Sequence, residues 1–190
     1  LHRVRDLLVR QRTMLINALR GHLGEFGLVA GQGKGNFAKL LACLDGEDRD
    51  VGEALPELAL SALRLMASQI ADATEKIGIL EKAIVAQHRG NEASRRLASI
   101  PGIGPIIASA ITAAVPDASV FKSGRQFAAW LGLVPRQNST GGKDRLGGIT
   151  KTGDRYIRRL LVIGATGLIR YRRRNVPGGL EWLNAMLARK

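Results

Sequence analysis

Residues 100–159 read IPGIGPIIASAITAAVPDASVFKSGRQFAAWLGLVPRQNSTGGKDRLGGITKTGDRYIRR. Near its start, Pro101-Gly102-Ile103-Gly104 separates two apolar patterns. A short helix is predicted over Glu92 to Ser99. A second starts near Pro105, since proline suits the first helical position, and Ile106, Ile107, Ala110 and Ile111 give it an apolar face. Apolar helix, Gly-apolar-Gly turn, apolar helix is the pattern of a helix-hairpin-helix motif. The two glycines let the backbone approach a phosphate, and the free N–H groups at the next helix start point at it. A contact through Gly102, Ile103 and Gly104 fixes position along DNA without reading bases. The same pattern also suits a tight helix–helix turn with no ligand.

Phe121 to Leu133 reads as another helix, capped by Ser123, with Phe127, Trp130 and Leu131 facing inward. The chain leaves helix at Gly132 and Pro135. From Arg136 to Thr150 it is polar, glycine-rich and basic (RQNSTGGKDRLGGIT). Loops of this length in compact domains often carry function. Ser139 has Thr140, Gly141 and Gly142 behind it and Arg136, Lys143 and Arg145 around it. A serine hydroxyl is a weak nucleophile unless a base or nearby positive charge helps it. Arg and Lys beside it can bind a scissile phosphate and stabilise the charge that develops there. Composition alone favours the other reading, a serine that contacts phosphate and does no chemistry.

After the loop, Thr152 is placed to cap a basic helix. Its buried stripe is Ile157, Leu160, Leu161, Gly164, Leu168 and Tyr171. Lys151, Arg155, Arg158 and Arg159 lie nearest the loop, and the three arginines are close enough to share its phosphate. Arg170 and Arg172 to Arg174 make a second basic patch. Pro177-Gly178-Gly179 breaks the helix, and a short apolar segment, Leu180 to Leu187, leads to Arg189-Lys190.

The first half is a scaffold. Leu1, Val4, Leu8, Leu15, Leu19, Leu23 and Phe26 recur at helical spacing and predict one amphipathic helix of about seven turns. A glycine-rich linker follows from Gly24 to Gly35. Its GQGKGN piece lacks the spacing of a phosphate loop and follows no strand. Next come an apolar patch, Phe37 to Leu44, and an acidic run of Asp45, Glu47, Asp48, Asp50 and Glu53. That run has the wrong spacing for a calcium loop and suits a helix N-terminus. Leu63, Met66, Ile70, Ala73, Ile77, Leu80, Ile84 and Gln87 then form a heptad seam. Such a seam pairs with the first helix, with a second copy of the chain, or with both; an ordinary buried helix also fits. Gln87 and His88 read as surface.

The charge is uneven. The chain of 190 residues carries a net +13. Between Lys122 and Arg174 stand thirteen Lys or Arg and two acids, Asp144 and Asp154, so that stretch holds +11 of it. Clustered cations displace counterions from phosphate backbones, so a polyanionic partner, nucleic acid, is expected. Aromatics are 4% and apolar residues 45%, which suits an all-α core of Leu, Ile, Val and Ala. The lone Cys43 makes no internal disulfide and fits a reducing compartment as a small core residue. No apolar run reaches membrane-spanning length and no signal-peptide pattern opens the chain, so no membrane partner is expected. Leu1, standing where Met is usual and directly in a helical pattern, points to a fragment.

Two long segments, LASIPGIGPIIASAI (97–111) and FKSGRQFAAWLGLVPRQNSTGGKDRLGGITKTGDRYIRRLLVIGA (121–165), closely resemble the C-terminal transposase domain of the DEDD-type insertion-sequence transposases. These are the bridge-RNA-guided recombinases. The opening LHRVRDLLVRQRTMLINALRGHLGEFG (1–27) is similar to the region that follows that family's catalytic domain. In the family a RuvC-like domain supplies four acidic residues that hold magnesium. The second domain supplies a serine that becomes covalently joined to DNA. By position, the resemblance makes Ser139 in QNSTGG that serine. Gly102, Gly104, Arg136, Gly141, Gly142, Lys143, Gly153, Asp154 and Arg158 also fall in its motif positions.

The resemblance implies an internal fragment. The RuvC-like domain would precede Leu1, and a further helical stretch would follow Lys190. The Asp45 to Glu53 acids do not match the family's metal ligands. So no cofactor is expected in this chain, magnesium belongs to the missing domain, and the fragment alone is expected not to cut DNA. The expected partners are DNA, a guide RNA and a second copy of the chain through the coiled-coil arm. The expected location is the bacterial cytoplasm, with the nucleoid. Ser139 would attack a phosphate and store the bond energy as a phosphoserine ester. Arg136, Lys143 and Arg158 lead the phosphate-binding set, with Thr140, Gly141, Gly142, Arg145, Lys151, Arg155 and Arg159 beside them.

The expected architecture is all-α. A helical hairpin or coiled-coil arm fills 1–91, with a Gly-rich and acidic linker over 24–55. A compact C-terminal transposase domain fills 92–190, with the helix-hairpin-helix-like turn and the basic serine loop. Two other readings stay open. A non-catalytic helix-hairpin-helix DNA-binding module would be indifferent to Ser139→Ala. A coiled-coil assembly protein would dimerise through Leu63, Ile70, Ile77 and Ile84 and bind nucleic acid only incidentally.

Overall fold

The computed structural model describes residues 1–31, 33–45, 55–143, 145–175 and 181–189. Among them are eight helices and a two-stranded hairpin: α1 (His2–Glu25), α2 (Lys34–Asp45), α3 (Glu57–Gly90), α4 (Glu92–Ala98), α5 (Pro105–Ala114), α6 (Gly124–Trp130), β1 (Pro135–Gln137), β2 (Leu146–Ile149), α7 (Arg155–Asn175) and α8 (Glu181–Ala188). The all-α expectation holds. The acidic residues from Glu47 to Glu53, Asp144, the Pro177-Gly178-Gly179 break and the side chains of Tyr171 and Arg172 to Arg174 lie outside the described residues. No helix among the described residues is long and apolar enough to cross a membrane.

The chain divides into two compact units, Leu1–Ile84 and Val85–Lys190. In the first, α1 and α3 run antiparallel. Arg5 near the start of α1 donates from Nε to Glu81 late in α3, at 2.9 Å. Leu19 and Leu23 near the end of α1 share a core with Leu63 and Ile70 early in α3. The segment expected as linker contributes as well. Residues 34–45 form α2, which buries Leu40 and Leu44 in the same core. Two leucines at i and i+4 are enough to hold one face of a short helix against a neighbour. Leu1, Val4 and Phe26, expected on the buried face of α1, are exposed.

The heptad seam of α3 is buried as its period requires. Leu63, Ile70, Ile77 and Ile84 are 4% exposed or less, Ala73 is buried, and Met66 and Leu80 are half-buried. The seam is therefore already covered within one chain. The four residues on which a dimer was expected are not exposed for it. His88, expected at the surface, is half-buried and shares a 2.7 Å hydrogen bond with Oγ of the fully buried Ser94.

The second unit packs around Ile107, Ala110, Ile111, Leu131, Ile157 and Leu160. These come from α5, the end of α6 and α7. Burying each large aliphatic side chain contributes roughly 1.5–3 kcal/mol. The helix predicted over Phe121–Leu133 is shorter, Gly124–Trp130, and a 3-10 turn over Ala118–Val120 precedes it. Ser123 caps it by accepting from Gln126 N–H at 3.3 Å. Leu131 is fully buried, but Trp130, also expected inside, is 41% exposed.

Candidate nucleic-acid interface and serine site

The segment expected as an irregular basic loop is a β-hairpin. β1 and β2 pair antiparallel, with Pro135 opposite Ile149 and Gln137 opposite Leu146. Beyond them Asn138 N–H donates to the Arg145 carbonyl at 2.8 Å, and Lys143 N–H to the Thr140 carbonyl at 3.2 Å. Gly141 and Gly142 at the tip have φ of 58° and 75°. Positive φ at both central residues is the requirement of a type I′ turn, whose twist matches that of paired strands.

The register decides what Ser139 has around it. Between the two paired positions β2 carries one more residue than β1, and Gly147-Gly148 face Arg136 across that irregularity. A Cβ on Gly147 would lie 3.3 Å from Asn138 Nδ2 and 3.7 Å from Arg136 Cβ. Arg136 and Asn138 therefore share a face, and their register partners place Thr140, Lys143 and Arg145 with them. Alternation along a strand puts Ser139 on the other face, with Gln137 and Leu146. Ser139 is half-buried, and its Oγ accepts the backbone N–H of Arg145 at 3.2 Å. Arg145 thus reaches the hydroxyl through its backbone. A donated N–H orients the oxygen and favours negative charge on it.

The hairpin is anchored at its base by close backbone approach. Thr150 N–H donates to Val134 at 2.9 Å and Lys151 N–H to Gly132 at 3.0 Å. Gly132 has φ 68°, and Lys151 is the one described non-glycine residue with positive φ, 59°. A Cβ on Gly132 would lie 2.5 Å from Thr152 N, and one on Gly153 only 1.8 Å from the Trp130 carbonyl oxygen. Asp154, not Thr152, caps α7: its Oδ1 accepts from Ile157 N–H at 2.9 Å. The Thr152 hydroxyl lies 3.2 Å from that of Thr150 instead.

Arg158 closes this base. Its guanidinium donates to the Leu131 carbonyl at 2.8 Å and to the Gly153 carbonyl at 3.2 Å. Part of its donor set is therefore spent on backbone inside the fold, where the sequence suggested a phosphate. Arg159 lies 5.6 Å from the centre of the Tyr156 ring, and Arg155 and Lys151 are exposed. Arg158→Met is expected to cost about 2 kcal/mol of stability. Hydrogen bonds to a charged group are worth roughly 1.5–3 kcal/mol, and the buried Leu131 carbonyl would lose its donor. Chemical denaturation measures this. An unchanged midpoint together with weaker DNA binding would return Arg158 to phosphate alone.

The Gly102 turn lies elsewhere on α7. Gly102 has φ 86°, and a Cβ there would lie 3.2 Å from the Gly164 carbonyl. Reciprocally, a Cβ on Gly164 would lie 2.1 Å from the Gly102 oxygen. A glycine–glycine crossing thus explains Gly102 without a ligand. Gly104 is different: it precedes α5 with φ −87°, and nothing lies within 4 Å of a Cβ built on it. Gly164 is nine residues past Arg155, roughly 14 Å along the helix at 1.5 Å per residue. The sequence set therefore separates into three groups. Ser139, Arg136, Thr140, Gly141, Gly142, Lys143 and Arg145 share the hairpin. Lys151, Arg155, Arg158 and Arg159 stand at its base. Gly102, Ile103 and Gly104 belong to the turn farther along α7. The contacts of Gly153 and Gly164 were not read from the sequence; their only trace is a glycine beside a cap residue and another inside a buried stripe.

Residues 94–177 match the family described as transposase, IS116/IS110/IS902 family. A Pseudomonas aeruginosa protein named "Probable family 20 transposase" is 45% identical over 190 residues, covering all of this chain and 56% of that protein. The transposase for insertion sequence element IS1328 of Yersinia enterocolitica is 38% identical over 191 residues, covering all of this chain and 55% of its own length. The transposase for insertion sequence element IS1111A of Coxiella burnetii is 36% identical over 188 residues, covering 99% of this chain and 51% of its own length. The chain spans about half the length of the curated relatives it matches.

Proposed function

We propose, from the match of residues 94–177 to the transposase IS116/IS110/IS902 family, that this chain is the part of a DNA-transposing enzyme that grips DNA and supplies Ser139 as nucleophile. One observation carries the proposal. Ser139 Oγ is held by a backbone N–H in an exposed hairpin whose opposite face bears Arg136, Lys143 and Arg145. From that face the cations grip the neighbouring DNA backbone and position the strand, so that a phosphate is presented to Oγ. Oγ forms a bond to phosphorus, a deoxyribose oxygen leaves, and the serine proton ends on that oxygen. The phosphoserine ester keeps the bond energy until a strand end reverses the step. The resemblance to bridge-RNA-guided recombinases extends the proposal to a guide RNA as a second polyanion for the same basic stretch.

The resemblance assigns magnesium to a RuvC-like domain, outside the residues proposed here to act. Among the described residues no three His, Cys, Asp or Glu side chains are grouped to hold a metal ion. No step above passes through one.

The binding half of the proposal is tested by salt. If the basic stretch contacts about six phosphates, affinity for duplex DNA falls on the order of 10^3-fold between about 50 and about 200 mM salt. Fluorescence anisotropy with a labelled duplex reads the slope. Binding that ignores salt would remove the phosphate grip. The nucleophile half is tested by trapping a protein–DNA adduct that survives denaturation.

A further inference from the structure

A groove of about 830 Å3 opens in the Val85–Lys190 unit between α4, the C-terminal end of α5 and α6. Its apolar walls are Leu97, Ile100, Ile111, Val115, Phe121 and Phe127. It includes no hairpin residue. Two of the chain's eight aromatic side chains, Phe121 and Phe127, line it, and Trp130 packs against both. Phe121 meets Phe127 edge-on with ring centres 5.3 Å apart, and Trp130 stacks on Phe127 at 6.0 Å. A ring cluster serving only the core would be buried. Here Phe121 and Phe127 are half-buried, Ile100 in the groove wall is 48% exposed, and Trp130 beside the two rings is 41% exposed.

The rim is cationic. Arg96 lines the groove, and Lys122 and Arg125 are the exposed chain neighbours of its lining residues Phe121 and Gly124. Among the described residues these three form no ion pair. Asp117 is the one acid in the lining. It accepts from Ser119 N–H and Oγ–H, both at 2.8 Å, and these bonds hold its carboxyl below the usual range, so it stays an acceptor. Flat aromatic walls with cations at the edge are what single-stranded nucleic acid sites use. Each base stacks on a ring, and the backbone follows the charge. The volume lies within the range of small-ligand sites, roughly 300–1,000 Å3.

The geometry points to a pocket for one unpaired nucleotide, with its base against Phe121 and Phe127 and its phosphate at Arg96. This rests on the nucleic-acid reading of the chain and adds a site that shares no lining residue with the serine hairpin. It separates two tasks: the hairpin holds paired backbone, and the groove keeps one base out of the stack.

The test uses the chain with Trp182→Phe, so that Trp130 alone reports by fluorescence. The probes are a fully paired duplex, the same duplex with one bulged nucleotide, and one with a bulged abasic sugar, each as DNA and as RNA. The bulged base is expected to bind roughly tenfold or more tighter than the abasic bulge, the scale of one base–aromatic stack, and to change Trp130 emission. Phe121→Leu keeps apolar volume and removes the ring. It should abolish that preference while leaving paired-duplex affinity unchanged. Phe127→Leu repeats the test should the first variant fold poorly. The arm that shows the preference, DNA or RNA, names the strand. Equal affinity for bulged base and abasic bulge in both arms, with paired duplex still bound, overturns the pocket and leaves the proposed function standing. Failure to bind any duplex at low salt overturns both.

Discussion

Ser139→Ala is expected to eliminate the covalent protein–DNA adduct and to lower strand exchange by at least about 10^4-fold, the scale on which loss of an essential nucleophile acts. The chain, carried in a protein of its relatives' length, is incubated with the proposed guide RNA and a nicked target DNA and then denatured, and the protein-linked DNA is counted. The substitution is structurally mild. It removes one acceptor, the Oγ that takes the Arg145 N–H at 3.2 Å, in a hairpin whose strands are exposed. Such a bond is worth about 1 kcal/mol, so the folded population and the salt slope should stay close to wild type. That contrast makes the result readable. An adduct that persists in the variant moves the nucleophile to another residue. No adduct in either protein, on DNA that is demonstrably bound, leaves this chain as a binding module.

Gly153→Ala should have the largest effect on stability. The added Cβ would lie 1.8 Å from the Trp130 oxygen and 2.7 Å from Leu131 C and Cα. All three are backbone atoms at the end of α6, so no side chain can rotate away. The segment from Lys151 to Asp154 must lift off. That breaks the Arg158 bond to the Gly153 carbonyl and loosens the hairpin base. Overpacking a tight site costs about 1–3 kcal/mol and at times more. With backbone on both sides, about 3 kcal/mol or more is expected, seen as a fall in Tm of roughly 10 °C or more. Gly104→Ala is the control. With open space around it and an ordinary φ, it should leave Tm within about 2 °C, so any loss of DNA binding there reports a contact with DNA. A Gly153→Ala protein that melts like wild type would show that the approach of these two segments is not what holds the hairpin.

Much of the helical architecture was legible in the sequence because it is local. The 3-and-4 spacing from Leu63 to Ile84 names one buried face whatever lies opposite, and Pro105 and Ser123 mark helix starts through their own chemistry. The errors share one cause. Residues 34–45 carry glycine at their start and read as linker, but Leu40 and Leu44 find a core contributed by α1 and α3. Trp130 reads as core by its side chain, yet α6 ends with it at the surface. Arg136 to Thr150 reads as loop because its apolar residues do not alternate. The hairpin forms all the same, since Gly141-Gly142 permit the turn and the ladder needs only backbone.

The helix periods, the basic stretch from Lys122 to Arg174, the break at Pro101-Gly102-Ile103-Gly104 and the position of Ser139 between basic residues along the chain can all be read before any fold is known. Each depends on residues a few positions apart, and charge and spacing are properties of the chain. Packing sets the rest: which partner covers the α3 seam, which face of the hairpin Ser139 takes, that Arg158 serves backbone carbonyls, and that Gly102 meets Gly164. Outside the hairpin they rest on contacts between residues far apart in the chain, such as Arg158 with Leu131 and Gly102 with Gly164. Their geometry depends on how whole elements pack and on the one extra residue in β2, and no local pattern encodes either.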